Sequence, residues 1–225
     1  MNLNKYIDHT ILRPESTRAQ VEQVCREALQ YDFASVCVNS CWTKLVADTL
    51  KGSAVKACVA VGFPLGAMTT LAKMFETDQA IEAGAREVDM VINVGALKSG
   101  LYDFVRDDIA GVVSSCKKNK RKSALLKVIL ETFLLSDDEK KLACEIAKAA
   151  GADFVKTSTG FNGGGATVED IRLMRSVVGE SMGVKASGGV RSYEQAAAMI
   201  EAGANRIGTS SGISIVQGVA GKAAY

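Results

Sequence analysis

Short runs of apolar and β-branched residues alternate, from one end of the chain to the other, with stretches whose apolar positions recur every three or four residues. The runs predict strands over 5–10 (KYIDHT), 33–39 (FASVCVN), 55–62 (VKACVAVG), 87–93 (EVDMVIN), 124–131 (ALLKVILE), 153–159 (DFVKTST), 183–188 (GVKASG) and 206–210 (RIGTS). Between them, TRAQVEQVCREALQYD, TTLAKMFETDQAIEAGA, LSDDEKKLACEIAKAAGA, TVEDIRLMRSVVGE and SYEQAAAMIEAGAN predict amphipathic helices. Three of these helices finish in near-identical words, EAGAREVD, KAAGADFV and EAGANRIG, in which a glycine closes the helix shortly before the next strand. Alternation of this kind is the signature of parallel β/α units, and eight of them with internal repetition predict an α/β fold, a closed (β/α)8 TIM barrel. An open, doubly wound sheet is the alternative the pattern leaves. No Pro-, Ser- or charge-rich stretch divides the chain, so residues 1–225 are expected to form a single domain with a short mobile tail from about 217 to 225.

Three of the predicted strands carry a lysine in their bodies, Lys127, Lys156 and Lys185, each 29 residues after the last. An ammonium taken out of water is costly unless it is paired, solvated at a pocket or allowed to lose its proton. In a barrel the helices cover the outer side of every strand and the inner side meets water only at the C-terminal mouth, so charged residues late in strands are expected there. They are Asp8, Asn39, Asp89, Asn93, Lys127, Glu131, Lys156 and Lys185, with Asp89 and Asn93 on one face of their strand and Lys127 and Glu131 on one face of theirs. One such lysine reads equally well as half of a structural ion pair. Three at one level, with two aspartates, read as a cluster in which each ammonium disfavours the charge of its neighbours. A fall of about three from the ordinary lysine pKa of ~10.4 makes a sizeable fraction of an amine nucleophilic at neutral pH, as Schiff-base formation on a carbonyl requires. Periodicity does not say which of the three reacts.

Glycine-rich words follow the last two predicted strands, SGG at 187–189 and GTSSG at 208–212. That is where barrels commonly hold a phosphate on backbone N–H groups and short hydroxyls, although either word alone serves equally as a turn. The third such word, GFNGGGATVED, matches neither a P-loop nor a dinucleotide fingerprint and reads as a flexible lid or turn. It leads into a helix with Thr167 and Asp170 placed as a capping-box-like pair, and Gly160 is its expected contact with a ligand.

Composition narrows the partners. Basic and acidic residues number 27 and 25, interspersed, for a net charge of +2, so no global field favours nucleic acid or an anionic membrane and any anion site is local. The opening MNLNKYIDHTILRP lacks a signal-peptide pattern and no apolar run approaches the length of a membrane span, which sets the expectation of a cytoplasmic enzyme or binding protein. Six cysteines without C-x-x-C pairs read as reduced core thiols, and Cys37 and Cys41 in CVNSC as packing or pocket lining, no partner ligands clustering near them in the sequence. With one histidine, His9, a His-based zinc site is not expected, and no metal or cofactor is assigned.

The words YIDHT, SVCVN, VGFPLG, EVDMVINVGALK, LLKVILET, GADFVKTSTGF, GVKASGGVR and RIGTSSG, in this order over about residues 5–216, resemble the 2-deoxy-D-ribose 5-phosphate aldolase family. The resemblance implies a metal-independent class I aldolase that cleaves a phosphorylated deoxysugar to D-glyceraldehyde 3-phosphate and acetaldehyde. Within it, Lys156 of KTSTG matches the Schiff-base lysine and Lys185 of KASGG the second lysine that lowers the pKa of the first. Asp89 matches the acid/base aspartate, which works with an ordered water, and Asp8 a carboxylate that orients Lys185. Thr159, Gly160, Gly188, Gly189, Gly208, Ser210 and Ser211 match the substrate and phosphate loops; Lys127 shapes the polar cluster and Cys37 lines the pocket. Phe161 stands where some members carry a phosphate-binding lysine, which shifts that load to backbone and hydroxyl groups. Tyr225 fits the mobile terminal tyrosine that some members use as a proton shuttle. Family members are commonly homodimers or homotetramers that work in deoxynucleoside catabolism. The rival readings are a metal-dependent aldolase, another Schiff-base lyase or isomerase on the same barrel, and a phosphosugar-binding protein without chemistry.

Overall fold

Alternation along each strand divides its side chains between two environments. In the computed structural model, which describes residues 2–118 and 122–219, eight parallel strands close into a barrel in sequence order. They are β1 (Ile7–Ile11), β2 (Ser35–Asn39), β3 (Lys56–Val61), β4 (Glu87–Val91), β5 (Leu125–Ile129), β6 (Phe154–Lys156), β7 (Gly183–Ser187) and β8 (Arg206–Thr209). One set of alternate residues, including Val36, Val38, Val59, Val61, Val88, Met90, Leu126, Val128, Val155, Val184 and Ile207, is buried in the large apolar layer under the helices. The other set fills the interior with small or charged groups, and its only apolar cluster among the described residues is Leu12, Cys37, Cys58 and Ala60. Barrel interiors are ordinarily packed with branched aliphatics; here the interior is reserved for charge.

The expected helices are present as α1 (Arg18–Gln30), α3 (Thr70–Glu82), α6 (Asp137–Ala149), α7 (Val168–Val178) and α8 (Tyr193–Glu201). Side chains fix where several begin: Thr17 with Gln20, Ser136 with Glu139 and Ser192 with Gln195 form reciprocal capping boxes. Thr167 accepts the Asp170 N–H at 3.0 Å, and the Asp170 carboxylate pairs with Lys140 at 2.7 Å rather than completing a box. Four further helices lie in segments the periodicity leaves unassigned: α2 (Thr43–Thr49), α4 (Val94–Lys98), α5 (Tyr102–Lys117) and α9 (Gly212–Gln217).

Several predicted strands end early. β4 stops at Val91 because Asn93, expected on its inner face, caps α4 by accepting the Ala96 N–H at 3.0 Å. β5 stops at Ile129, and Glu131, expected beside Lys127, turns into the left-handed region with φ 59°. β6 keeps only three residues; Thr157 N–H still donates to the Lys185 carbonyl at 3.1 Å, and Thr159, two residues on, reaches the mouth.

α5 escapes the apolar periodicity because its buried face carries Asp108. That carboxylate meets Lys73 of α3 at 2.5 Å, with both side chains fully buried, and accepts the Thr70 hydroxyl at 2.8 Å. Lys73 Nζ also donates to the Val91 carbonyl at 3.0 Å, which ties α3 and α5 to the end of β4, the strand of Asp89. Removing one partner of a buried pair strands the other charge. Lys73→Met should therefore cost about 3 to 5 kcal/mol in urea unfolding, and Lys73→Met with Asp108→Leu should recover most of it. A double variant no more stable than the single would show that the pair is not a local unit.

Candidate active site

Strand register brings the charges together. Asp89 lies opposite Lys127, Lys156 opposite Lys185, and Lys185 opposite Arg206. Asp89 on β4 reaches Lys185 on β7, a strand on the other side of the barrel, at 2.7 Å, which places both in the interior. The Asp89 Oδ2 oxygen accepts from Lys156 at 2.8 Å and from Lys185 at 2.7 Å, while Oδ1 accepts from Lys127 at 2.9 Å. Asp8 stands 2.5 Å from Lys185 and 3.8 Å from Lys127 and accepts from Arg206 through its other oxygen at 2.8 Å. Glu87 receives Lys127 at 2.7 Å and Arg206 at 2.8 Å. Gly208 makes room for this, since a Cβ there would stand 2.9 Å from Lys185 Cε.

Glu87 and Arg206 escaped the sequence reading. Each opens its strand, where a charge reads as solvated; the signal available was parity, Glu87 lying two residues before Asp89 on the same face.

Electrostatics in the cluster run opposite to the expectation of mutually depressed lysines. Burial alone would push the Lys185 ammonium down, but Asp8 and Asp89 hold it well above the usual lysine range. Lys127 is likewise driven down by burial and lifted far more by Asp89, Glu87 and Asp8. Burial raises the carboxyls, yet Lys127, Lys156 and Lys185 keep Asp89 well below the carboxylate range, and Lys185, Arg206 and Lys127 do the same for Asp8. Carboxylates facing the ammoniums outweigh repulsion among them. Three carboxylates, Asp8, Glu87 and Asp89, thus face four basic side chains, Lys127, Lys156, Lys185 and Arg206. The set balances when one of the four is an uncharged amine.

Above this network lies a pocket lined by Thr10, Leu12, Lys156, Thr159, Gly160, Ser187, Gly188, Gly189, Val190, Arg191, Gly208, Thr209 and Ser210. Lys156 alone of the three strand lysines lines it; Lys127 and Lys185 are fully buried beneath. Of the sequence candidates, Thr159, Gly160, Gly188, Gly189, Gly208 and Ser210 meet here, whereas Ser211 is buried at the start of α9 and does not line the pocket. Arg191, directly after SGGV, was missed by the sequence reading and lines the pocket. The GFNGGG segment is docked rather than lid-like: Ala166 N–H donates to the Gly188 carbonyl at 2.9 Å, and a Cβ on Gly165 would stand 2.4 Å from that oxygen. Tyr225 lies outside the described residues, and Gln217, where the tail was expected to start, still belongs to α9.

Cys37 does have partner ligands nearby, contrary to the sequence reading: the Cys37 and Cys58 thiols and Asp89 lie within 4.8 Å of one another. Both Asp89 oxygens already receive lysines, Cys58 donates to Oδ1 at 3.2 Å, and burial pushes the Cys58 thiol up, so the trio reads as packing beside Asp89. Cys41 is exposed and takes no part.

Barrel and site together define a β/α-barrel enzyme of the aldolase class. The chain belongs to the DeoC/LacD family of aldolases, whose model matches residues 3–218. It is 61% identical over 218 residues to a deoxyribose-phosphate aldolase of Streptococcus gordonii, covering 97% of each chain. With one of Clostridium novyi it shares 62% identity over 218 residues, covering 97% of this chain and 96% of the relative. Among solved structures it superposes on QR15, an aldolase, with a TM-score of 0.90 at 43% identity, covering 96% of this chain and 95% of that one. The deoxyribose phosphate aldolase of Aeropyrum pernix, described as having a unique tetrameric structure, gives 0.87 at 35% identity, covering 96% and 89%.

The pKa directions fix the stability profile. Asp8 and Asp89 sit below their ordinary 3.8, so their contribution is complete above that value and lost as the pH falls beneath it. Lys127 and Lys185 sit above their ordinary 10.5, so theirs is complete below that value and lost as the pH rises past it. Urea unfolding should show these groups contributing no slope between about pH 5 and 9 and a steep loss below about pH 4. Asp8→Asn should start less stable at pH 7 and lose less on acidification; an unchanged acid slope would contradict the assignment.

Proposed function

We propose that this single-domain barrel catalyses the reversible retro-aldol cleavage of 2-deoxy-D-ribose 5-phosphate to D-glyceraldehyde 3-phosphate and acetaldehyde, through a Schiff base on Lys156. The observation that carries the reading is that Lys156 joins the two halves of the site. Its side-chain nitrogen shares Asp89 Oδ2 with Lys185, and the residue lines the glycine-rich pocket. Relatives at about 60% identity, named deoxyribose-phosphate aldolase, support the substrate.

The uncharged amine of Lys156 adds to the C1 aldehyde, and water is lost to give an iminium. That iminium draws in the electrons of the C2–C3 bond as it breaks, and the C3 hydroxyl proton passes through an ordered water to Asp89, releasing D-glyceraldehyde 3-phosphate. Because the neighbouring lysines hold the Asp89 carboxyl far below its usual range, a proton arriving there is readily given up again, to the enamine carbon. Hydrolysis of the resulting imine frees acetaldehyde. Lys185, fixed as a cation by Asp8 and Asp89, keeps positive charge beside Lys156 through the cycle. The loops of Gly188, Gly189, Gly208, Ser210 and Arg191 hold the phosphate and position the reacting end.

The chemistry calls on no metal or cofactor. The enzyme works in the cytoplasm, as its six free cysteines suggest. A homodimer or homotetramer is supported by the exposed Leu65, Met68, Leu71 and Phe75 around the start of α3.

Lys156→Leu tests the assignment. Cleavage should fall by more than about a thousandfold, while affinity for D-glyceraldehyde 3-phosphate should change by less than about tenfold, the phosphate loops being intact. Cleavage that continued unchanged would refute the nucleophile.

A further inference from the structure

Glu131 is buried at 1% exposure and holds a left-handed backbone conformation, φ 59° and ψ 61°, that a non-glycine residue keeps only when its surroundings impose it. Among the described residues no lysine or arginine pairs with its carboxyl group. Its partners all lie in the segment that follows Lys156. One oxygen accepts the Thr159 N–H at 3.2 Å, and the other accepts the Thr159 hydroxyl and, at 2.7 Å, the Asn162 side-chain amide. The Thr159 oxygen in turn accepts the Phe161 N–H at 3.1 Å.

The flanking backbone explains the turn. Leu130 N–H donates to the Lys156 carbonyl at 2.9 Å and Thr132 N–H to the Thr157 carbonyl at 3.1 Å, so the β5–β6 ladder continues past the strands with Glu131 between its two rungs. In an extended conformation Glu131 would follow the pleat. The left-handed turn instead sends its carboxyl to the Thr159 N–H, two residues beyond the last rung.

We propose that Glu131 is a positioning residue for phosphate recognition: it clamps the Thr159–Asn162 segment so that Thr159 and Gly160 line the pocket together with the SGG and GTSSG loops. Lys156 is held by its own ladder bond and by Asp89, so the clamp acts on the phosphate end of the substrate and leaves the amine in place. The proposal rests on the aldolase reading and adds to it a division of labour within one loop.

Two variants test it. Glu131→Gln keeps the shape and turns one acceptor into a donor facing other donors. Glu131→Gly keeps the left-handed backbone without strain and deletes the clamp. With 2-deoxy-D-ribose 5-phosphate both should raise KM about tenfold or more, a buried hydrogen-bonded carboxyl being lost, with kcat changed by less than about threefold. With unphosphorylated 2-deoxy-D-ribose, kcat/KM should change by less than about threefold, and inhibition by inorganic phosphate should weaken in step with the KM. Circular dichroism melting of Glu131→Gly confirms that the folded protein is what is assayed. An equal loss on both sugars, or an unchanged KM for the phosphorylated one, would overturn the clamp. A wild-type protein that cleaved neither sugar would overturn the aldolase reading beneath it.

Discussion

Three lysines on one carboxylate is the constraint from which the rest of this barrel follows. Asp89 is fully buried and gives both oxygens to Lys127, Lys156 and Lys185. A buried charge left without a partner costs several kcal/mol, so no member of the set can be moved or removed without stranding another. The strands must close in the register that delivers β4, β5, β6 and β7 to one level. Their interior positions cannot carry the usual branched aliphatics, and the neighbours are accordingly small: Cys37, Cys58, Ala60 and Gly208. The hydrophobic driving force for folding moves outward, to the layer between strands and helices.

The proposed function grows out of the same imbalance. Arg206 and Glu87 close the floor of the barrel, Lys127 and Lys185 stand fixed as cations in the middle, and Lys156 sits at the top, where the pocket opens. The set has one basic group more than it has carboxylates, and the lysine that touches the pocket is the one a substrate carbonyl can reach. In the proposed reaction the amine becomes an iminium, whose new positive charge faces the Asp89 carboxylate already in place. The proposed phosphate site is kept apart, on the glycine-rich turns and Arg191 that line the pocket.

Much of this was legible in the sequence. Alternation of apolar runs with helical periodicity identified the barrel, and lysines in the bodies of three strands marked the level of the site. The family resemblance chose Lys156 among them, and Lys156 is the strand lysine that lines the pocket. What escaped reading was non-local. Glu87 and Arg206 look like solvated strand starts until closure of the barrel buries them against Asp8 and Lys127. A sequence shows clustered lysines but cannot count the carboxylates that will face them, so the sign of their shifts was misjudged for Lys127 and Lys185. Glu131 obeyed neither strand parity nor the preference of glycine for left-handed turns, and the donors on the neighbouring segment explain it.

Reductive trapping addresses the central claim most directly. Incubation with acetaldehyde and borohydride, followed by peptide mass mapping, should place the two-carbon adduct on Lys156, with Lys127 and Lys185 unmodified because both are buried and held as cations. An adduct on Lys185 or Lys127 instead, or none under conditions where the enzyme turns over, would contradict the account.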